Sequence, residues 1–553
     1  MKVRIGTRGS ELALWQARHV AALLAAEGVS SELVVMKTRG DVIDDVPLTQ
    51  VEGKAFFTAE IERALLERTA DLAVHSHKDL PTEITPGLVV AAIPRRGPRG
   101  ERLLVAPEAH ESAAPFLPLA RGARVGTSAP RRGEQLLALR PDLQVLALRG
   151  NVPTRVKRLR EGRYDAIVLA AAGLERLGLD TSGLADVALS EDLFVPAPAQ
   201  GALALQVRAS DAELLELLRS KLHDEDTARL VEAERSLLVR AGGGCNLPLA
   251  ASIEPGSAPG SFVARAFLGA DHPRPGVGPR WARVEAREPE AAIEGAYAVL
   301  ATGEATGCGP FAGLLVALAG SASEETRDTR LGARLETLGA RVAHERVLAF
   351  QDVVAPELAE RAAALRAGDA LAVTSRQAAR RLEGIRVQAG VTIAAVGAAT
   401  ARALESVGLR ASVVGSGGAR ELALALPLAP GARVLFPCAE EAVSELEDAL
   451  AARAIALERA VLYRTVPVPD AEHVEDALVR VYMSPSAVEA SLDWERSDAR
   501  PRTLRVALGR TTARALERAG LAAEEPEGSL VDFLARRLAR LRAPSPAAPE
   551  PTR

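Results

Sequence analysis

The stretch "VRIGTRGSELALWQARHVAALLAAEG", residues 3–28, runs from a short apolar strand through Gly-Thr and a polar turn into a segment with apolar residues at helical spacing. The same order returns at residues 123–139, "ARVGTSAPRRGEQLLAL". Strand, tight turn and helix therefore occur twice. Each copy is followed by an Asp-led buried-strand pattern that runs into a polar or glycine-containing turn, "ADLAVHSHKDLP" (70–81) and "YDAIVLAAAGLERLG" (164–178). The repeat predicts two related α/β lobes with a ligand cleft between them.

Beyond these lobes, "TARLVEAERSLLVRAG" (227–242) reads as a helix and "FVARAFL" and "RWARVEAR" as short strands, separated by Pro/Gly-rich loops. They predict a small α+β domain over 218–305. A second echo pairs "VTIAAVGAATARALESVGLRA" (391–411) with "LRVALGRTTARALERAGLAA" (504–523), preceded by "LAVTSRQAARRL" and "VYMSPSAVEASL". Each ends a strand at a helix N-terminus, where free N–H groups favour anions. The expected organisation is α/β multidomain: a first lobe at 1–98 completed by about 197–217, a second at 99–196, the α+β domain at 218–305, a two-lobed α/β domain at 311–542, and a disordered tail at 543–553.

The 553 residues are 48% hydrophobic and 25% charged with a net charge of −4, so no basic face for nucleic acid or anionic lipid is indicated. Cys245, Cys308 and Cys438 are far apart and lack Cys-x-x-Cys spacing, which argues against a disulfide scaffold or a metal site. Arg8 and Glu11 stand where a signal peptide needs an apolar core, and no run is long enough to span a bilayer. The expectation is a cytoplasmic, monomeric chain whose partners are small molecules, with no nucleic acid, membrane or metal. There are six lysines, so nearly all of the 68 Lys and Arg are arginine, and a lysine in a motif carries more weight than an arginine.

Chemistry concentrates in the first half. "AVHSHKDLP" delivers Ser76, His77, Lys78 and Asp79 to the C-terminal end of a buried strand, where α/β folds place their sites. A solvated turn with a surface ion pair explains the same residues. Arg8, Arg131, Arg132, Arg149, Arg155 and Arg176 lie in turns or just beyond strands, and bidentate donors in such number suit a ligand with several carboxylates. Cys245 follows three glycines in "GGGCNLP" (242–248); it is either a small buried hydrophobe or a reachable thiol able to act as nucleophile or covalent anchor.

Residues 1 to about 305 resemble the hydroxymethylbilane synthase (porphobilinogen deaminase) family through "IGTRGSELALWQA", "KTRGD", "GKAFFTAEIE", "DLAVHSHKDLP", "VGTSAPRR", "LRGNVPTR", "AAAGLERLG", "PAPAQGALALQ" and "GGGCNLP", in the family's order. The resemblance implies two periplasmic-binding-protein-like lobes plus a small domain whose Cys245 holds a dipyrromethane cofactor by a thioether. It implies stepwise deamination and joining of porphobilinogen to hydroxymethylbilane, with Asp79 as catalytic carboxylate beside Lys78. Arg8, Ser10, Lys54, Ser76, Lys78, Thr127, Ser128, Arg131, Arg132, Arg149, Arg155 and Arg176 would hold acetate and propionate groups. The sequence departs from the family pattern at Ala55 and Ala199, usually glycine, at His77, usually apolar, and at Pro130, which is expected to be tolerated in a helix's first turn.

Residues 311 to about 545 resemble uroporphyrinogen-III synthase through the repeated strand and Gly-x-x-Thr-Ala signatures and "ERAVLYRTVP" at an expected lobe hinge. That family cyclises hydroxymethylbilane and works mostly by holding a reactive cation in shape. The implied site residues are Tyr463, assisting loss of the hydroxyl, with Thr374, Ser375, Thr400, Ser484 and Thr512 supplying contacts. Two other readings stay open at this point: an active deaminase carrying a non-catalytic C-terminal scaffold, and a two-lobed solute-binding protein.

Overall fold

The computed structural model describes residues 2–36, 58–242, 247–270, 279–302, 309–321, 329–415, 418–442, 445–497, 503–526 and 529–542. The chain forms two compact units: Met1–Leu315 with Arg330–Val342 and Glu527–Arg553, and Val316–Thr329 with Ala343–Pro526. No helix among the described residues is long and apolar enough to cross a membrane.

The first unit holds three sheets. In the first lobe the strand order is Ser30–Met36, Lys2–Arg8, Leu72–Ser76, Leu203–Arg208, Leu88–Ala92, with the first three parallel and Leu203–Arg208 running antiparallel to both its neighbours. Leu72, Ala73, Val74 and His75 are all buried, as a central strand covered on both faces requires. The helix Glu11–Ala26 starts at Ser10, whose hydroxyl accepts from the Ala13 amide, and buries Ala17, Val20 and Leu24 in one core with Val3, Ile5 and Leu205. The second lobe repeats the pattern with order Gln144–Leu146, Arg124–Gly126, Ala166–Ala170, Glu101–Val105, Ala185–Leu189.

Two chain segments cross between the lobes, and they pass close together. The Gly97 amide donates to the Gly201 carbonyl at 3.2 Å, and a Cβ at Gly201, whose φ is +86°, would lie 2.6 Å from the carbonyl oxygens of Gly97 and Pro98. Only glycine fits there. The third sheet is an antiparallel meander, Leu249–Pro255, Phe262–Leu268 and Arg280–Ala286, packed on the helices Glu225–Arg240 and Pro289–Thr302 through Leu237, Ile253, Ala266 and Ile293.

The second unit is organised on one nine-stranded sheet. Its order is Val413–Val414, Thr392–Ala395, Ala370–Val373, Arg433–Ala439, Ala456–Pro467, Arg341–Asp352, Leu315–Ser321, Val479–Tyr482, Leu504–Ala507. Two parallel halves, the two lobes, are joined where the 12-residue strands Arg341–Asp352 and Ala456–Pro467 pair antiparallel over Leu348–Asp352 and Tyr463–Pro467. Tyr463 sits at the join: it pairs with Ala439 on one side and Asp352 on the other.

Candidate functional site

The buried strand Leu72–Ser76 leaves the first sheet and turns at once into the short 3-10 helix His77–Asp79. Ser76 is tied to the helix Glu11–Ala26, its Oγ accepting from Gln16 Nε2 at 2.8 Å. Lys78 Nζ donates to Gln200 Oε1 at 3.1 Å. Burial brings the Lys78 ammonium down to about 8, Arg132 and Arg131 adding to the effect while Asp79 and Glu101 oppose it. Asp79 is exposed, and no described residue hydrogen-bonds its carboxylate. Its charge is felt at Lys78, Arg131 and Arg155.

The second lobe brings cations to the same place. Pro130 occupies the first turn of the helix Pro130–Leu139, a position that needs no N–H donor, and Arg131 and Arg132 follow on its buried side. They share one buried carboxylate. Glu101 Oε1 accepts from Arg131 Nη2 and Arg132 Nε, both at 2.9 Å, and Oε2 accepts from Arg132 Nη2 at 2.6 Å. Arg131 also donates to Gln200 Oε1 at 3.2 Å, but its Nε and Nη1 are buried with no hydrogen-bond partner among the described residues. Burial lowers Arg131 and Arg155 to about 10. Arg155 Nε donates to the Gly150 carbonyl at 2.8 Å, and Arg176 Nη2 donates to the Gly201 carbonyl at 2.6 Å with its guanidinium 5.5 Å from the Trp15 ring centroid.

A cleft of about 90 Å³ lies between the lobes, lined by Gln16, Ser76 and Lys78 from one and Arg132, Arg155 and Arg176 from the other. The structure thus gathers Ser76, Lys78, Arg132, Arg155 and Arg176 around one space, with Arg131 joined to them through Gln200 and Glu101. Other expected residues serve the backbone. Ser10 caps its helix, Thr127 Oγ1 accepts from the Ala129 amide at 3.3 Å, and Ser128 Oγ donates to the Leu148 carbonyl at 2.6 Å. Arg8 and Arg149 are half-buried at a strand end and a loop and do not line the cleft. Lys54, Ala55 and Cys245 lie outside the described residues.

Two departures have clear physical consequences. Ala199 has φ +61°, the left-handed conformation in which glycine is at ease and alanine is strained. His77 is buried at 4% exposure and pushed down to about 3 by burial and then by Arg235, so its imidazole is neutral at physiological pH. Glu101 and Gln200, which the motifs do not single out, are the hydrogen-bond partners of Lys78, Arg131 and Arg132. A lone acid opening the apolar strand "ERLLVA" after an arginine run is the one sequence signal for Glu101.

In the second unit Tyr463 is buried, with its hydroxyl 2.8 Å from Ser375 Oγ. The Phe350 ring meets it edge-on and Arg381 lies 4.8 Å from its ring centroid. Burial pushes the phenol up, opposed by Ser375 and Arg381. Thr374 precedes Ser375, which caps the helix Arg376–Arg380 through the Gln377 amide. Thr400 and Thr512 are buried in the first turns after Gly397 and Gly509, and Ser484 Oγ accepts from the Ala487 amide at 3.2 Å. Thr374, Ser375, Thr400 and Tyr463 belong to one lobe, Ser484 and Thr512 to the other; of these hydroxyls, Ser375 and Tyr463 meet directly.

Residues 3–216 match the family model described as porphobilinogen deaminase, dipyromethane cofactor binding domain, and residues 329–531 match that of uroporphyrinogen-III synthase HemD. The porphobilinogen deaminase of Nitratidesulfovibrio vulgaris (strain Miyazaki F) is 51% identical over 251 residues, 45% of this chain and 77% of that protein. That of Maridesulfovibrio salexigens is 50% identical over 252 residues, 45% of this chain and 79% of its own. Among solved structures, a mutant uroporphyrinogen III synthase of Thermus thermophilus is 24% identical with a TM-score of 0.29, covering 41% of this chain and 98% of its own.

Proposed function

The chain belongs to the porphobilinogen deaminase family, and from that premise we propose how its residues divide the work. It acts in porphyrin biosynthesis, with a hydroxymethylbilane synthase in its N-terminal half and a uroporphyrinogen-III synthase domain in its C-terminal half. The first half makes a linear tetrapyrrole from four porphobilinogen; the second closes it. The N-terminal half carries a dipyrromethane cofactor binding domain, and the thiol of Cys245 is its proposed thioether anchor. The proposed boundaries are 1–98 with 197–217, 99–196, 218–305 and 311–542, in a monomeric, cytoplasmic chain.

The residues fit a group bearing several carboxylates: Lys78, Arg132, Arg155 and Arg176 line the cleft, and Arg131 keeps two buried donor atoms without partners among the described residues. When bound, the dipyrromethane supplies the free pyrrole position onto which the first substrate is joined. Arginine forks and the Lys78 ammonium clamp acetate and propionate groups and fix the substrate's register. The observation that carries the catalytic assignment is the exposed Asp79 carboxylate, without a hydrogen-bond partner among the described residues and set among those cations. Loss of ammonia from the aminomethyl arm leaves a cation on the substrate, and a fixed carboxylate stabilises it and takes up the ring proton released on coupling.

Arg8, Ser10, Lys54, Ser76, Thr127, Ser128 and Arg149 complete the proposed binding set. In the second half Tyr463, whose hydroxyl is held by its contact with Ser375, assists departure of the hydroxyl, with Thr374, Thr400, Ser484 and Thr512 around the substrate. Two measurements test the first half. Asp79→Asn should cut turnover by about 100-fold or more with folding unchanged, and a variant with near-normal turnover would remove Asp79 from the mechanism. Intact mass should show the mass of two pyrrole units lost on Cys245→Ser; a bare polypeptide in the unsubstituted protein would refute the tether.

A further inference from the structure

Arg235 holds the backbone of the turn that presents Lys78 and Asp79. Its Nη1 donates to the carbonyls of His77 at 3.0 Å and Leu80 at 3.1 Å, and its Nη2 to the carbonyl of Pro81 at 2.8 Å. One planar cation thus bonds three carbonyls within a five-residue stretch, a geometry that a lysine's point charge cannot reproduce. From the opposite side the turn is held by the His77 amide, which donates to the Ala202 carbonyl at 3.0 Å, and by Lys78 on Gln200. The Asp79 carboxylate makes no hydrogen bond to any described residue, so its position depends on how firmly the backbone beneath it is fixed.

The helix that carries Arg235, Glu225–Arg240, is anchored in turn. Its Glu234 is fully buried and accepts from Arg96 Nη1 and Nη2 at 2.8 and 2.9 Å, from the Ala199 amide at 2.7 Å and from the Ile253 amide at 2.8 Å. Arg96 also donates to the Gln200 carbonyl at 2.7 Å. Two successive residues on one helix therefore tie it to the interlobe crossings, through Glu234, and to the catalytic turn, through Arg235. The same helix ends five residues before Cys245.

We propose that Arg235 is a positioning residue for the deaminase reaction: its guanidinium sets the place of the Asp79 carboxylate, and through one helix it couples the domain that carries the cofactor thiol to the turn that does the chemistry. The inference rests on the catalytic role proposed for Asp79. It makes Arg235 a determinant of turnover rather than of substrate binding, because Arg235 does not line the cleft between the lobes. It lines a separate open cavity of about 280 Å³ with His77, Leu80, Ile84, Ser236 and Val239. That opening lets a small cation from solvent reach the three carbonyls once the side chain is removed.

The test is made in the full chain. Arg235→Ala should lower kcat for porphobilinogen consumption about 100-fold, the size of effect expected from displacing a reacting group by about 1 Å, with KM changed less than about twofold and the cofactor mass retained. Millimolar guanidinium should restore a large part of kcat saturably, while sodium chloride at equal ionic strength should not. In an Asp79→Asn background the Arg235→Ala effect should disappear. A kcat within about threefold of the unsubstituted enzyme, a loss carried by KM, or a folded variant that guanidinium does not rescue would each overturn the proposal. Should Arg235→Ala fail to fold, Arg235→Lys keeps the charge and must still show lowered kcat at unchanged KM; normal kcat there refutes it. An active Asp79→Asn enzyme would instead sink the reading beneath it, whatever Arg235 does.

Discussion

Replacing Glu101 with glutamine should unfold the first unit far more readily while changing almost no volume. Glu101 is 1% exposed and bonds Arg131 and Arg132, 8% and 5% exposed, through three hydrogen bonds of 2.6 to 2.9 Å. Glutamine keeps one acceptor oxygen for Arg131 Nη2 and Arg132 Nε, but it sets an amide donor against Arg132 Nη2 and leaves two buried cations without a counter-charge. Removing one partner of a buried ion cluster costs about 3–5 kcal/mol. The retained acceptor puts Glu101→Gln near the lower end of that range, about 3 kcal/mol. Urea unfolding followed by Trp15 and Trp281 fluorescence, in a Trp494→Phe background that silences the second unit, measures it. A loss below about 1 kcal/mol, the worth of an ordinary exposed ion pair, would mean that the cluster is not held by Glu101, and the account of how Arg131 and Arg132 are aimed would fail.

Lys78 titrates near 8, so its ammonium is lost between about pH 7 and 9. KM for porphobilinogen should rise about tenfold or more across that range, the worth of a hydrogen bond to a charged group, and Lys78→Arg should flatten the rise; a flat profile in the unsubstituted enzyme contradicts the role. His77 is held near 3 in the folded chain against about 6.5 unfolded. Below about pH 6.5 the unfolded state takes up the proton first, so stability falls by about 1.4 kcal/mol per pH unit toward about pH 3. His77→Leu should remove that slope in melting experiments, and an unchanged slope would show that another group sets it. Tyr463→Phe removes the hydroxyl 2.8 Å from Ser375 and should slow type III ring closure about 100-fold or more without altering porphobilinogen consumption; unimpaired closure would exclude the phenol.

The two-lobe plan of the first half was legible because strand, Gly-Thr and helix recur with the same apolar spacing at residues 3–28 and 123–139, and each copy buries its own face. The place of Lys78 and Asp79 just beyond a buried strand was legible because an apolar run, "LAVHS", gives way there to a polar turn closed by Pro81. Glu101 and Gln200 were not. Glu101 lies 30 residues from Arg131, and Gln200 lies 122 from Lys78, so their purpose exists only once the crossings between the lobes bring them together. Arg235 was hidden for the same reason, in a chain so rich in arginine that no single one stands out. In the second half the echo around Gly397 and Gly509 announced two lobes, but not their union. That union depends on the pairing of Arg341–Asp352 with Ala456–Pro467, and cross-strand register leaves no mark in either strand alone. Pro130 shows the reverse case, a local rule sufficing: proline in a first turn disturbs nothing that follows it.

The claim that two consecutive reactions lie on one chain is tested most directly by giving the purified protein porphobilinogen alone and identifying the isomer that forms. Uroporphyrinogen III as the main product, turning to isomer I in Tyr463→Phe, is the predicted result. Isomer I alone from the unsubstituted chain, the product of spontaneous closure, would contradict it.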